Sequence, residues 1–256
     1  MFCHVMIIDC FLFYNEVTLL NYRLHALQDV VDYFVVVEST RTFTGNEKPI
    51  MLTNRGNIIH VVVDLPYSNP TLKEIWKNEY FQRNAISQGI QRLSLKPSDL
   101  IILSDVDEIP DPYTLSKIKR GNIPITINTL EMDFYYYNLT SKIKCKWPLC
   151  KILTYEYYIA ALKNKKTCND IRHKPCSVIK KGGWHLSYFG SASFIQNKIK
   201  NFSHQELNRS KYVDLVNIET KINEGKDLFD RNIKIEKIEI KDNKYLPVNF
   251  SLLCFK

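Results

Sequence analysis

Leu100-Ile-Ile-Leu-Ser-Asp-Val-Asp-Glu108 decides how this chain is read: a short apolar run leads without a break into Ser104-Asp-Val-Asp-Glu108. Such a run, bounded by polar residues, fits a strand covered on both faces. Comparable runs lie upstream. Val5 to Ile8 is one, Tyr33 to Val37 is a second and ends at Glu38, and Ile58 to Val63 is a third and ends at Asp64. Helical spacing separates them. Val17, Leu20, Leu24 and Leu27 mark one helix after Asn15-Glu16. Thr71-Leu-Lys-Glu74 is a capping box, and Ile75, Tyr80, Ala85, Ile86, Ile90 and Leu93 predict one long helix behind it. A shorter helix starts with Asp111 as N-cap and Pro112 in its first turn, and stops at Gly121. Alternating strands and helices predict an α/β, Rossmann-type unit with a mainly parallel sheet flanked by helices. Ligands of such sheets gather beyond the carboxyl ends of strands, so Glu38, Asp64 and Asp105 are expected to face one crevice.

The second half has a different texture. Pro124 to Asn138 reads as strand and carries Tyr135-Tyr-Tyr137. Residues 145 to 180 are rich in Lys and Cys without a clear period. Lys181-Gly-Gly-Trp-His-Leu-Ser-Tyr-Phe-Gly190 precedes a helix expected from Ser191 to about Phe202, and the Lys- and Ile-rich tail is expected to end in an apolar strand. Neither repeat nor linker divides the chain, so residues 1–256 read as a single domain.

Composition narrows the class. Hydrophobic residues are 45% and charged residues 24% of the 256, a globular balance. The net charge of +8 is spread without a long block of like charges, so the lysines read as a solvated surface and nucleic acid is not an expected partner. The seven cysteines, an odd and irregular set, argue against a disulfide framework. Cys145, Cys150, Cys168 and Cys176 cluster around His173, but more widely than a zinc knuckle, and reduced thiols are the first reading. The N-terminal apolar run is too short for a membrane helix and breaks at Asp9, and no later stretch reaches the ~18 apolar residues of a span. A cytoplasmic or otherwise intracellular, soluble protein without a transmembrane segment is therefore expected, with Asn138, Asn201, Asn208 and Asn249 as chance sequons.

Asp105 and Asp107, two apart on a loop after a buried strand, can share a hard divalent cation such as Mn²⁺ or Mg²⁺ with substrate phosphates. The same pair would also serve a structural turn. Wider context favours the metal. Asp9-Cys-Phe-Leu-Phe-Tyr-Asn-Glu16, Val37-Glu-Ser-Thr-Arg-Thr-Phe-Thr-Gly45 with Lys48-Pro49, Glu79-Tyr-Phe-Gln-Arg-Asn-Ala85, Ser104-Asp-Val-Asp-Glu-Ile-Pro110 and Gly182-Gly-Trp-His-Leu-Ser-Tyr-Phe-Gly190 follow one another in order. Together these segments make the chain resemble glycosyltransferase family 17, whose members add N-acetylglucosamine to glycans. The resemblance implies a GT-A-like fold, a UDP-sugar donor, Mn²⁺ or Mg²⁺, a glycan acceptor and inversion at the anomeric carbon.

Roles are then expected as follows. Asp107 is the leading metal ligand, with Asp105 on metal or ribose and His185 completing the shell, where Gly182 and Gly183 allow close backbone approach. Phe13, Asn15, Glu16 and Glu38 follow the first two strands and are assigned to the donor. Arg83 is expected to clamp phosphate, or else to pair with Glu79 one helical turn earlier. The tyrosine run is expected to offer a sugar-stacking wall. An inverting transfer needs a general base, for which Asp133 and Glu206 are the candidates. About residues 1–122 would hold the nucleotide and about 123–256 the acceptor. The alternative is a nucleotidyltransferase or phosphotransferase using the same acid pair, although no Gly-rich phosphate loop is present. A sugar-binding module without catalysis is a further alternative.

Overall fold

The structure is a computed structural model describing residues 5–53 and 56–253. Among the described residues ten strands form one sheet: β1 (Ile7–Phe13), β2 (Tyr33–Ser39), β3 (Ile58–Val63), β4 (Leu100–Asp105), β5 (Glu108–Pro110), β6 (Ile127–Tyr136), β7 (Ser141–Trp147), β8 (Lys151–Thr154), β9 (Ser177–Ser187) and β10 (Ile235–Lys237). Their order is β10-β7-β6-β8-β4-β1-β2-β3, with β9 beside β6 and β5 beside β9. The first half is parallel throughout, as its apolar runs predict: β3, β2, β1 and β4 all run one way. The second half adds antiparallel partners, and only β9 runs parallel to β6. The whole is a mixed α/β sheet flanked by helices and compatible with a GT-A-like fold.

Side-chain alternation sends β1, β2 and β4 into two cores. Ile7, Phe11, Val36 and Ile102 pack on one face against α1 (Val17–Leu27) and α4 (Pro112–Lys119). Ile8, Cys10, Val35 and Leu103 pack on the other with α3 (Ile86–Ile90), α5 (Tyr155–Lys163) and α6 (Cys168–Arg172). The long helix expected from Thr71 is in fact two. Its capping box is formed and α2 (Leu72–Asn84) ends at Ala85, where the chain turns into α3. Gly89 sets how α3 packs: a Cβ there would lie 2.3 Å from Val35 Cγ1, so only glycine lets α3 press this closely on β2. Asp111 caps α4 by accepting from the Tyr113 N–H, and Ser191 caps α7 (Ala192–Asn201). Two short helices, α8 (Ser210–Val213) and α9 (Leu215–Glu224), follow. The tail is the other departure, since Phe250–Leu253 forms a 3₁₀ turn rather than a strand.

The cysteine cluster does not converge. Cys150 lies in one core and Cys168 in the opposite one, and Cys145 is exposed. Cys3 and Cys254 lie outside the described residues. Among the described residues no helix is long and apolar enough to cross a membrane.

Candidate active site

Strand order reverses between β1 and β4, the position where an open α/β sheet leaves a crevice at its carboxyl edge. A cleft of about 440 Å³ lies there. Its floor is Leu12, Phe13 and Asp105 to Asp107, α2 and α6 form one wall, and α7 with Phe202, Ser203 and His204 forms the other.

The 104–108 loop is shaped from below by Arg23. This guanidinium is fully buried and makes two bonds to Asp9, at 2.6 and 2.7 Å. It also donates to Ser104 Oγ and to the carbonyls of Asp105, Val106 and Glu108. The carbonyls of Asp105, Val106 and Glu108 are therefore satisfied from within the fold.

The loop's carboxylates diverge. Asp105 accepts from Arg83 Nη1 and from Arg172 Nη2, both at 2.7 Å. Burial alone would raise the Asp105 carboxyl, but the Arg172 and Arg83 guanidiniums outweigh it and hold it at about 2. Arg172 also grips Glu108, which accepts from Trp147 Nε1 at 2.6 Å. Asp107 instead meets Lys198 Nζ at 3.0 Å and His185 Nε2 at 3.5 Å. Burial opposes its ionisation, yet Lys198 and His185 together keep it well below the ordinary carboxylate range. Asp105, Asp107 and His185 all line the cleft, but their partners differ: Asp105 is bonded to two arginines, whereas Asp107 is paired with Lys198 and stands beside His185.

His185 reaches that place because β9 is squeezed between β5 and β6. Glu108 pairs with His185, and the Leu186 N–H donates to the Asp107 carbonyl at 2.8 Å. Gly183 has φ +147°, and a Cβ on it would sit 2.1 Å from the Ile109 carbonyl oxygen, so the close approach requires glycine. The imidazole packs against the rings of Phe134 and Trp147, which also touch each other, and its buried Nδ1 has no hydrogen-bond partner.

Other sequence-derived candidates divide. Phe13, Glu16 and Arg83 line the cleft. Glu16 is held by the Tyr14 and Asn15 N–H groups and lies 3.4 Å from Lys198. Asn15 sits just outside, bonded to Asn197, and lines a neighbouring hollow. Arg83 makes the Glu79 pair as well as the Asp105 contact. Glu38 does not face the cleft. It shares the pleat face of Val36 and accepts from Lys48, His60 and the Met51 and Leu52 N–H groups, so it anchors the 48–52 segment. Asp64 is a surface partner of Thr40 and Arg41.

Neither proposed base lines the cleft. Asp133 is clamped by Lys142 and Lys146. Glu206 is exposed and accepts from His204 Nδ1 at 2.7 Å, and it is His204 that faces the cleft. The tyrosine run is corrected too. Tyr135, Tyr136 and Tyr137 are buried, and their hydroxyls bond Asn243, Arg231 and the Lys226 carbonyl, so they pack the interior. The residues missed in the sequence are Arg172, Lys198, Trp76, Trp147 and His204. Trp76 alone had a local signal, lying one and two turns before Glu79 and Arg83 on one helix face.

An acid-bearing cleft at the switch point of a GT-A-like sheet is the arrangement of a glycosyltransferase domain. Residues 3–235 match the profile of Glycosyltransferase family 17, and the chain belongs to that family. It is 37% identical over 108 residues to the beta-1,4-mannosyl-glycoprotein 4-beta-N-acetylglucosaminyltransferases of Homo sapiens and Rattus norvegicus, and 36% identical to that of Mus musculus. Each match covers 38% of this chain and 20% of the relative, so the aligned part is a fifth of those longer proteins. The chain thus belongs to a glycosyltransferase family, and this membership does not favour the nucleotidyltransferase alternative.

Proposed function

We propose that this enzyme transfers N-acetylglucosamine from a UDP-sugar to a carbohydrate acceptor with inversion, using Mn²⁺ or Mg²⁺ held by Asp107 and His185. The observation that carries this reading is the Asp107–His185 pair at the cleft above β4, with His185 Nε2 3.5 Å from the Asp107 carboxylate. An imidazole nitrogen and a carboxylate oxygen suit such a cation. Charge supports the same reading. Glu16, Glu79, Asp105, Asp107 and the underlying Glu108 outnumber the permanent cations Arg83, Arg172 and Lys198 by two. A diphosphate would deepen that excess, and a divalent ion would offset it. Among the described residues no three His, Cys, Asp or Glu side chains gather around one point. Phosphate oxygens and water would then complete the shell, as is usual for these ions. When bound, the ion would stabilise charge on the departing diphosphate.

The chain's own groups divide the remaining work. Arg83 and Arg172, both bonded to Asp105 and lining the cleft, present guanidinium groups to phosphate. The hollow beyond β1 and β2, lined by Tyr14, Ser39, Thr42, Phe43 and Gln82, takes the nucleoside. His204 is the base. Its Nδ1–H is fixed by Glu206, which leaves Nε2 to accept the acceptor hydroxyl's proton. His204→Ala is expected to slow transfer by about 10²–10⁴-fold, to bind UDP as the parent does, and to regain rate with added imidazole. Glu206→Gln should cost less and gain nothing from imidazole. Parental transfer rates in His204→Ala would remove histidine from this role. Transfer from UDP-N-acetylglucosamine to a panel of oligosaccharides, followed by mass spectrometry of the products, tests the reaction itself.

A further inference from the structure

Helix α2 is inverted with respect to an ordinary surface helix. Its buried positions are Ile75, Asn78, Gln82 and Arg83, three of them polar or charged. Its exposed positions include Leu72 at 66% and Tyr80 at 40%. A surface helix normally turns its apolar stripe inward. Here the polar inner face has clear duties: Asn78 bonds Tyr67 and the Phe43 carbonyl, Gln82 bonds the Val37 carbonyl, and Arg83 bonds Asp105. The apolar side chains turned outward have no matching duty inside the fold.

They are also ordered. Leu72, Trp76 and Tyr80 are four residues apart and form one row along the helix. Trp76 and Tyr80 rings lie 6.2 Å apart, and Trp76 meets His204 edge to face at 4.7 Å. Trp76 and its neighbour Glu79 line the cleft, so the row leaves the cleft along its rim. Exposed apolar patches that continue a pocket mark ligand grooves.

We propose that Leu72, Trp76 and Tyr80 form the docking rail for the acceptor oligosaccharide, with pyranose rings stacked on Trp76 and Tyr80. This deepens the transferase reading and rests on it. Two observations favour a sugar chain over a second protein copy. The row is a single helix-wide line, far narrower than the roughly 800 Å² per partner of a stable protein interface. It also leads to His204, the group that must meet an acceptor hydroxyl. Lys73 and Lys77 border it with exposed donors for hydroxyl groups. Pyranose rings offer a flat face of C–H groups and a rim of hydroxyls, which suits an aromatic row edged by polar side chains.

The test is acceptor kinetics and glycan-array binding in the presence of UDP, using mannosyl, galactosyl, glucosyl and N-acetylglucosaminyl oligosaccharides. Tyr80→Ala and Trp76→Ala should each weaken glycan binding and raise the acceptor KM about tenfold, the scale of one lost aromatic contact. Tyr80→Phe should recover most of the glycan binding lost in Tyr80→Ala, because the ring rather than the hydroxyl makes the contact. UDP affinity, measured by calorimetry on Tyr80→Ala, should stay within about twofold. Unchanged glycan binding and KM in both alanine variants would overturn the rail while leaving the transferase intact. A parent protein that binds no glycan on the array would overturn it as well. So would sedimentation showing a dimer that only these variants dissolve. Failure of the parent to turn over any donor would instead strike the transferase reading.

Discussion

Arg23→Met is expected to destabilise the fold by about 3–5 kcal/mol, the cost of leaving one member of a buried ion pair without its partner. Asp9 and Arg23 side chains are both fully buried. Removing the guanidinium leaves the Asp9 carboxylate in an apolar strand environment and takes the donor from three loop carbonyls. For a chain of this size, each kcal/mol shifts Tm by about 2–4 °C, so a drop of about 6–20 °C should appear in a thermal melt. Arg23→Lys should recover little, since a single ammonium cannot span Asp9, Ser104 and the carbonyls as the planar fork does. Adding Asp9→Leu to Arg23→Met should recover part of the loss, because no unpaired charge then remains buried. A melt within a degree of the parent for Arg23→Met would show that the loop does not depend on this residue.

This keystone was hard to see in the sequence, and the reason is physical. Asp9 and Arg23 are fourteen residues apart, and Arg23 interrupts a helix whose apolar spacing drew the reading to Leu20, Leu24 and Leu27. The parallel half of the sheet was legible because strands buried on both faces need unbroken apolar runs, and four such runs stand in order. Strand ends were legible too, but not the direction of the side chains there. Glu38 and Asp105 both close strands, yet Glu38 follows the pleat of Val36 toward Lys48 while Asp105 follows that of Leu103 toward α2 and α6. Being one residue out of phase in a strand turns a carboxylate to the other face. Arg172 and Lys198 were illegible for a different reason. Each joins the site across more than sixty positions, a proximity that no local period records. Tyr135 to Tyr137 looked like a binding surface because three aromatics in a strand suggest an exposed face. The structure uses both faces of β6 and the turn after it for packing.

Asp107→Ala is expected to lower donor turnover by at least about 10³-fold, since metal assistance contributes several kcal/mol and each 1.36 kcal/mol is tenfold. The fold should survive the change. Lys198 keeps Glu16 at 3.4 Å, and His185 remains packed against Phe134 and Trp147. Asp107→Asn keeps the shape and removes only the charge, so it separates ligation from packing. UDP binding in both variants should lose its dependence on Mn²⁺, and the loss should be visible by calorimetry without any turnover. His185→Ala should weaken the same dependence, whereas Asp105→Asn should act through the release of Arg83 and Arg172 and leave the Mn²⁺ dependence in place.

The most direct measurement is release of UDP from UDP-N-acetylglucosamine across a Mn²⁺ titration, run on the parent and on Asp107→Asn. The account predicts that parent turnover rises with Mn²⁺ and collapses when a chelator is added, and that Asp107→Asn stays near background at every concentration. Parent turnover unchanged by the chelator, or Asp107→Asn working at the parent rate, would contradict it.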